Sequence, residues 1–245
     1  FAAGPPSHLP EENMTNPAPN LVSTFELLFI PQLPTSLRVG NMTIPVPASV
    51  VSIDEIALKG YFLTIANINP NPYVFSLGFH INPANGAAPP SQNSLASALG
   101  FIDDGSGGVV LPLNPTTPAI DYHASVKVQA NGTALVGILP NFINTMSNPP
   151  GLATPNIEVR GWVDITLPAV RGKTILQTVP QASAPVSVLL TAEQRITFLP
   201  MAGAPSSTVE SQTAFAVPLA GGASEISIPP QPGGYINIGN LGGLG

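Results

Sequence analysis

The sequence predicts an all-β protein: a β-sandwich or jelly-roll-like domain with extended N- and C-terminal arms. Three observations point there. Long stretches alternate apolar and polar residues with a period of two, proline-containing turns separate most of them, and almost nothing repeats with helical spacing. The 30 prolines and 23 glycines among 245 residues supply the punctuation.

Residues 1–20 are rich in Pro and Asn, carry only Glu11 and Glu12 as charges, and read as an extended arm. Strands are expected next at Thr24–Ile30, Ser36–Ile44, Val50–Ile53 and Ile56–Ile65, separated by Pro31–Pro34 and Pro45–Pro47. Tyr73, Phe75, Leu77, Phe79 and Ile81 alternate with Val74, Ser76, Gly78, His80 and Asn82, giving one apolar and one mostly polar face. Ser91–Leu99 suits a short helical turn, and Val109–Leu113 another strand.

Ile120, Tyr122, Ala124, Val126 and Val128 alternate with Asp121, His123, Ser125, Lys127 and Gln129. Asn131-Gly132 then leads into Ala134–Leu139, which reads as a hairpin because Asn-Gly takes positive φ readily. Leu139–Met146 suits a second helical turn. Ile157, Val159, Gly161, Val163, Ile165 and Leu167 alternate with Glu158, Arg160, Trp162, Asp164 and Thr166. Further strands are expected at Thr174–Val179, Val186–Thr191, Gln194–Leu199 and Thr208–Val217, with short terminal ones at Glu225–Ile228 and Tyr235–Ile238.

These elements define a core over residues 21–218 and a Gly/Pro-rich C-terminal arm over 219–245. Ile56-Ala-Leu-Lys-Gly-Tyr61 echoes Ile157-Glu-Val-Arg-Gly-Trp162, as two related halves would, although chance explains a motif this short.

Charged side chains make up 8% of the chain, against roughly 25% in an average soluble domain. Apolar residues make up 44%, so a large core is available. A chain this apolar and sparsely charged is expected to be covered by copies of itself or by glycan. Net charge is −6 and the seven basic residues are scattered, which argues against a nucleic-acid partner. Cysteine is absent, so there are no disulfides, thiolate metal sites or cysteine nucleophiles. The long uncharged stretch from Gly60 to Ile102 is broken by Asn, Pro and Gly, so no membrane span is expected. The start at Phe1 fits removal of a leader peptide, and a trimmed chain would look the same.

Chemistry is sparse. His8 lies in the N-terminal arm, while His80 and His123 fall on polar strand faces. Without metal-ligand spacing they read as solvated or hydrogen-bonded imidazoles. Carboxylates pair at Glu11-Glu12, Asp54-Glu55 and Asp103-Asp104, but neighbours on a strand point to opposite faces. Asp103-Asp104-Gly105-Ser106-Gly107-Gly108 has oxygens and backbone freedom suited to calcium, and equally the composition of a plain hairpin loop. Trp162, the single tryptophan, is expected to point outward or into an interface. Sequons at Asn13, Asn41 and Asn131 are glycosylation candidates in a secreted chain. No nucleophile elbow or phosphate loop occurs, so no enzymatic activity, cofactor or metal is expected.

The expected function is structural: a secreted subunit that self-assembles into an extracellular filament, pilus-like fibre or surface layer. Its proposed contact is β-strand complementation between copies, with Ile226, Ile228, Tyr235, Ile236 and Ile238 as candidate assembly-strand residues. Deleting 1–20 or 224–245 is then expected to abolish assembly and leave a folded core. The alternatives are a viral jelly-roll capsid protein and a monomeric carbohydrate-binding or adhesive β-sandwich.

Overall fold

Alternation in the sequence becomes a curled antiparallel sheet in the computed structural model, which describes residues 17–31, 36–45, 55–81, 95, 98–115, 120–140, 157–173, 177–200 and 211–235. In chain order the strands are β1 (Asn20–Pro31), β2 (Ser36–Val39), β3 (Met42–Pro45), β4 (Glu55–Asn67), β5 (Tyr73–Ile81) and β6 (Ala98–Asp103). Then come β7 (Val109–Val110), β8 (Asn114–Pro115), β9 (Asp121–Val128), β10 (Thr133–Pro140), β11 (Ile157–Thr166) and β12 (Val170–Arg171). The last are β13 (Gln177–Val179), β14 (Val186–Pro200), β15 (Ser211–Val217), β16 (Glu225–Ile228) and β17 (Gly234–Tyr235).

One half of the large sheet runs β1-β11-β5-β9-β8; the other runs β7-β6-β10-β4-β14, with β15 and β16 both on the far side of β14. The halves join where Leu28–Pro31 of β1 pairs with Ile56–Lys59 of β4. Beyond that point β4 leaves β1 and pairs with β10. The sheet therefore curls, and its two inner faces share one core. Phe75, Leu77, Phe79, Tyr122 and Val126 belong to one half; Leu63, Ile65, Val136, Ile138, Val188 and Leu190 belong to the other. Phe25 bridges the seam, 6.1 Å from Tyr61 and 6.0 Å edge-on to Phe79 between ring centroids. The expected all-β, sandwich-like architecture is what the chain adopts. A three-stranded sheet, β12-β13-β17, and a separate β2–β3 hairpin complete it.

Four expectations are corrected. The strands flanking Asn131-Gly132 are not hairpin partners: β9 pairs with β5 and β8, β10 with β4 and β6. Asn131 does take φ +51°, and the Gly132 N–H donates to the Gln129 carbonyl. The turn nevertheless carries the chain from one half to the other, because both flanking strands bury their apolar face against the shared core. Second, Val186–Thr191 and Gln194–Leu199 form one strand, β14, paired with β4 over thirteen consecutive residues of each. Third, Ala98 and Leu99 open a strand instead of closing a helical turn, since Ala98–Asp103 pairs along the edge of β10. Fourth, Ser36–Ile44 is a hairpin; Gly40, at φ +59°, occupies the first position of its two-residue turn. The expected strand over Val50–Ile53 lies outside the described residues; of the expected helical turn Leu139–Met146, Leu139 and Pro140 instead end β10 and the rest lies outside the described residues.

The C-terminal segment had two possible destinations, its own sheet or a neighbour's. Glu225–Ile228 pairs with Val186–Leu189 of its own β14, and Ile228 is fully buried in the core. Tyr235 belongs to β17, opposite Gln177. The core therefore extends to Ile228, and a deletion starting at residue 224 removes part of it. Ile236 and Ile238 lie outside the described residues, as do residues 1–16. No helix among the described residues is long and apolar enough to cross a membrane.

Candidate functional site

The outer face of the β1-β11-β5-β9 layer carries the densest polar cluster. Register builds it in two rows. Asp121, His80, Trp162 and Thr24 stand opposite one another across β9, β5, β11 and β1; His123, Gly78, Asp164 and Leu21 form the next row. A bulge between Leu21 and Ser23 lets Val22 and Ser23 both turn inward, so that Leu21 and Thr24 share the outer face.

His80 sits between two carboxylates. Its Nδ1 lies 2.7 Å from Asp121 Oδ1 and its Nε2 lies 2.6 Å from Asp164 Oδ2. Both contacts are hydrogen bonds only if both ring nitrogens carry protons, which makes the ring an imidazolium. Burial alone would lower the His80 pKa; the hydrogen bonds and charges of Asp121 and Asp164 outweigh it and raise the pKa above the ordinary histidine value.

Glycine makes the diagonal contact possible. A Cβ on Gly78 would stand 2.6 Å from Asp164 Oδ1 and 2.9 Å from His80 Nε2. On β11, a Cβ on Gly161 would lie 1.9 Å from the His80 carbonyl oxygen, so the close approach of β11 to β5 needs glycine there.

Trp162 stacks on His80, with centroids 5.2 Å apart and planes 15° from parallel. It remains 41% exposed, as expected for an outward-facing indole. Beyond it lies a cleft of about 410 Å³ lined by Leu21, Ser23, Thr24, Trp162, Pro218, Leu219 and Ala220. The Ala220 N–H donates to the Val22 carbonyl at 2.8 Å, tying the wall that follows β15 to the β1 bulge. The Ser23 hydroxyl is 2.8 Å from the buried Tyr61 hydroxyl and serves the core.

This geometry holds strands together. Each imidazole nitrogen already faces a carboxylate, leaving none to accept a proton from a nucleophile. The two carboxylates flank opposite sides of the ring, and no group of three metal-ligating side chains occurs among the described residues. His80 was expected as a hydrogen-bonded surface imidazole, and it is hydrogen-bonded. His123 is exposed, opposite Gly78. Parity had placed His80, Asp121, Asp164 and Trp162 on polar faces; their convergence depends on register, which no residue advertises.

A second cluster lies further along β1. Lys59 Nζ is 2.5 Å and Arg160 Nε 2.6 Å from opposite oxygens of Glu26. Burial would raise the Glu26 pKa, but the two cations overcome it and hold the carboxyl below its usual range. The echoed basic-Gly-aromatic motifs thus flank one strand and share one acid. They are not equivalent beyond that, since Tyr61 is buried and Trp162 exposed.

The Asp103-Asp104 loop is the β6–β7 hairpin turn. Asp103 Oδ1 accepts the Gly105 N–H (2.8 Å) and the Gly107 N–H (3.3 Å). Asp104 Oδ1 accepts from the Ser106 hydroxyl (2.6 Å) and N–H (3.2 Å). One oxygen of each carboxylate shapes the turn. Of the sequons, Asn41 lies at the exposed β2–β3 turn and Asn131 at the exposed turn between β9 and β10; Asn13 lies outside the described residues.

The chain matches no protein-family model, and no curated protein or solved structure is significantly similar to it.

Proposed function

We propose that this chain is a secreted structural subunit that polymerises with copies of itself by adding strands to an open sheet edge. The observation that carries the reading is β15. It pairs with β14 on one side and with no strand on the other among the described residues. Six of its seven residues, Ser211–Ala216, are exposed, including Phe215 at 43%. Edges of this length in solitary proteins are blunted by charge or proline. Ser-Gln-Thr-Ala-Phe-Ala-Val has neither.

Two further surfaces support the same reading. An isolated two-stranded hairpin is marginal in water, and β2–β3 exposes Val39 (63%) and Met42 (70%). The β7 edge exposes Val109 and Val110. Glycans on Asn41 and Asn131 would add the hydration that charge does not supply. With Ile226 and Ile228 committed in cis, the donor falls to residues 1–16 or to the segment after Tyr235.

Negative-stain imaging of the purified chain tests this. Polymers that vanish when residues 1–16 or 236–245 are deleted, with the circular dichroism unchanged, are the expected result. Closed shells would favour the capsid alternative, and isolated particles at all concentrations would remove assembly altogether.

A further inference from the structure

Among the described residues nothing fills the cleft beside Trp162, and its chemistry selects among ligands. Among the described residues its walls are Leu21, Pro218, Leu219 and Ala220, and Trp162 is its one aromatic surface. Of the two hydroxyls that line it, Ser23 is bonded to Tyr61 and only Thr24 is exposed. A sugar needs several polar partners to replace the water lost from its hydroxyls, and the described side chains of this cleft offer at most two, the Thr24 hydroxyl and the Trp162 indole N–H. A proline-rich segment needs few: its rings carry no donor, and its extended helix loses little entropy when it docks on an aromatic wall. The indole is already held flat by its stack on His80, so the platform is set before a ligand arrives.

The chain carries such a segment in sequence just ahead of β1. Residues 1–16 include Pro5, Pro6 and Pro10, contain no Lys or Arg, and lead through Pro17 and Pro19 into β1, whose second residue, Leu21, lines the cleft. Fully extended, sixteen residues span about 50 Å, nearly three times the roughly 18 Å radius of gyration of a 245-residue domain. That length reaches a neighbouring subunit.

We infer that the Trp162 cleft is a binding site for the proline-rich N-terminal arm of another copy of this chain. The inference rests on the assembly reading for the identity of the partner, and on the cleft alone for the chemistry of the ligand. The arm then bridges subunits by filling a cleft at the end of β15, beside the edge where a strand would add.

Trp162 is the only tryptophan, so intrinsic fluorescence reports on the cleft directly. The test adds a synthetic Phe1–Asn16 peptide to the dilute full chain and follows its emission. A saturable shift to shorter wavelength is expected. It should weaken about tenfold when Pro5, Pro6 and Pro10 of the peptide are alanine, and vanish in Thr24→Arg, which fills the cleft without removing the reporter. The peptide should also cap assembly. An unchanged spectrum with normal polymers, or normal polymers from both Trp162→Ala and Thr24→Arg, overturns the cleft assignment and leaves the assembly reading standing. A shift in a chain that stays monomeric supports the cleft's ligand chemistry while removing the polymer. A shift with an oligosaccharide and none with the peptide overturns the assignment in favour of glycan binding.

Discussion

At the scale of single residues, His80 has the clearest consequence. Its folded-state pKa is raised, so its contribution to stability is complete below the unfolded value near pH 6.5 and is lost as pH rises through the folded pKa. Deprotonation leaves one nitrogen lone pair facing a carboxylate. From β9 the ring is faced by Asp121, with His123 in the next row; from β11 by Asp164 and Trp162. The next charged pair, Arg160 and Glu26, lies one row beyond Trp162. The urea midpoint of the native chain should fall towards that of His80→Gln between pH 6 and 9; parallel curves would refute the clamp. Gly78→Val should abolish the same difference by wedging Asp164 from the ring. Asn67, 1% exposed, holds two loops: its Nδ2 donates to the Asn71 and Gln129 carbonyls, and its Oδ1 accepts from Asn69. Asn67→Ala should cost about 2–4 kcal/mol in chemical denaturation. None of these partnerships was legible in the sequence. Period-two alternation assigns a residue to a face, but a contact such as His80–Asp164 needs the neighbouring strand and its register.

At the scale of elements, the strands with one dry face were legible and their connections were not. The alternation expected from Tyr73 onward forms β5, Tyr73–Ile81, because every odd residue in it is buried. The sequence breaks β14 at Ala192-Glu193, yet β4 and β15 flank this stretch on either side and Ala192 is buried. Asn131-Gly132 signals a turn, but the sequence around it does not say whether the turn joins paired strands or crosses between the two halves of the sheet. The β15 edge yields its own prediction. Ala214→Lys places a charge on an exposed strand position and should suppress assembly in light scattering, with no more than about 0.5 kcal/mol change in stability. Undiminished assembly would show that β15 is not the contact.

At the scale of the whole molecule, sparse charge sets the expectation. With 8% charged residues, the proposed assembly would cover exposed apolar surface, and its candidates are β15, the β2–β3 hairpin and the Trp162 cleft. The two termini have different parts in this. Truncation after Ser224 strips β16 and the buried Ile228 from the core and should lower the unfolding midpoint sharply, since losing one such side chain alone costs about 2–5 kcal/mol. Truncation of residues 1–16 should leave the midpoint unchanged. The sequence already separated both ends from the middle by composition, but apolar alternation alone did not reveal that Ile226 and Ile228 serve their own sheet. The most direct measurement is the mass of the purified full chain across a dilution series, by light scattering after size exclusion. Growth from the mass of one subunit to open-ended polymers as concentration rises is predicted, and a constant 25.2 kDa species throughout would contradict it.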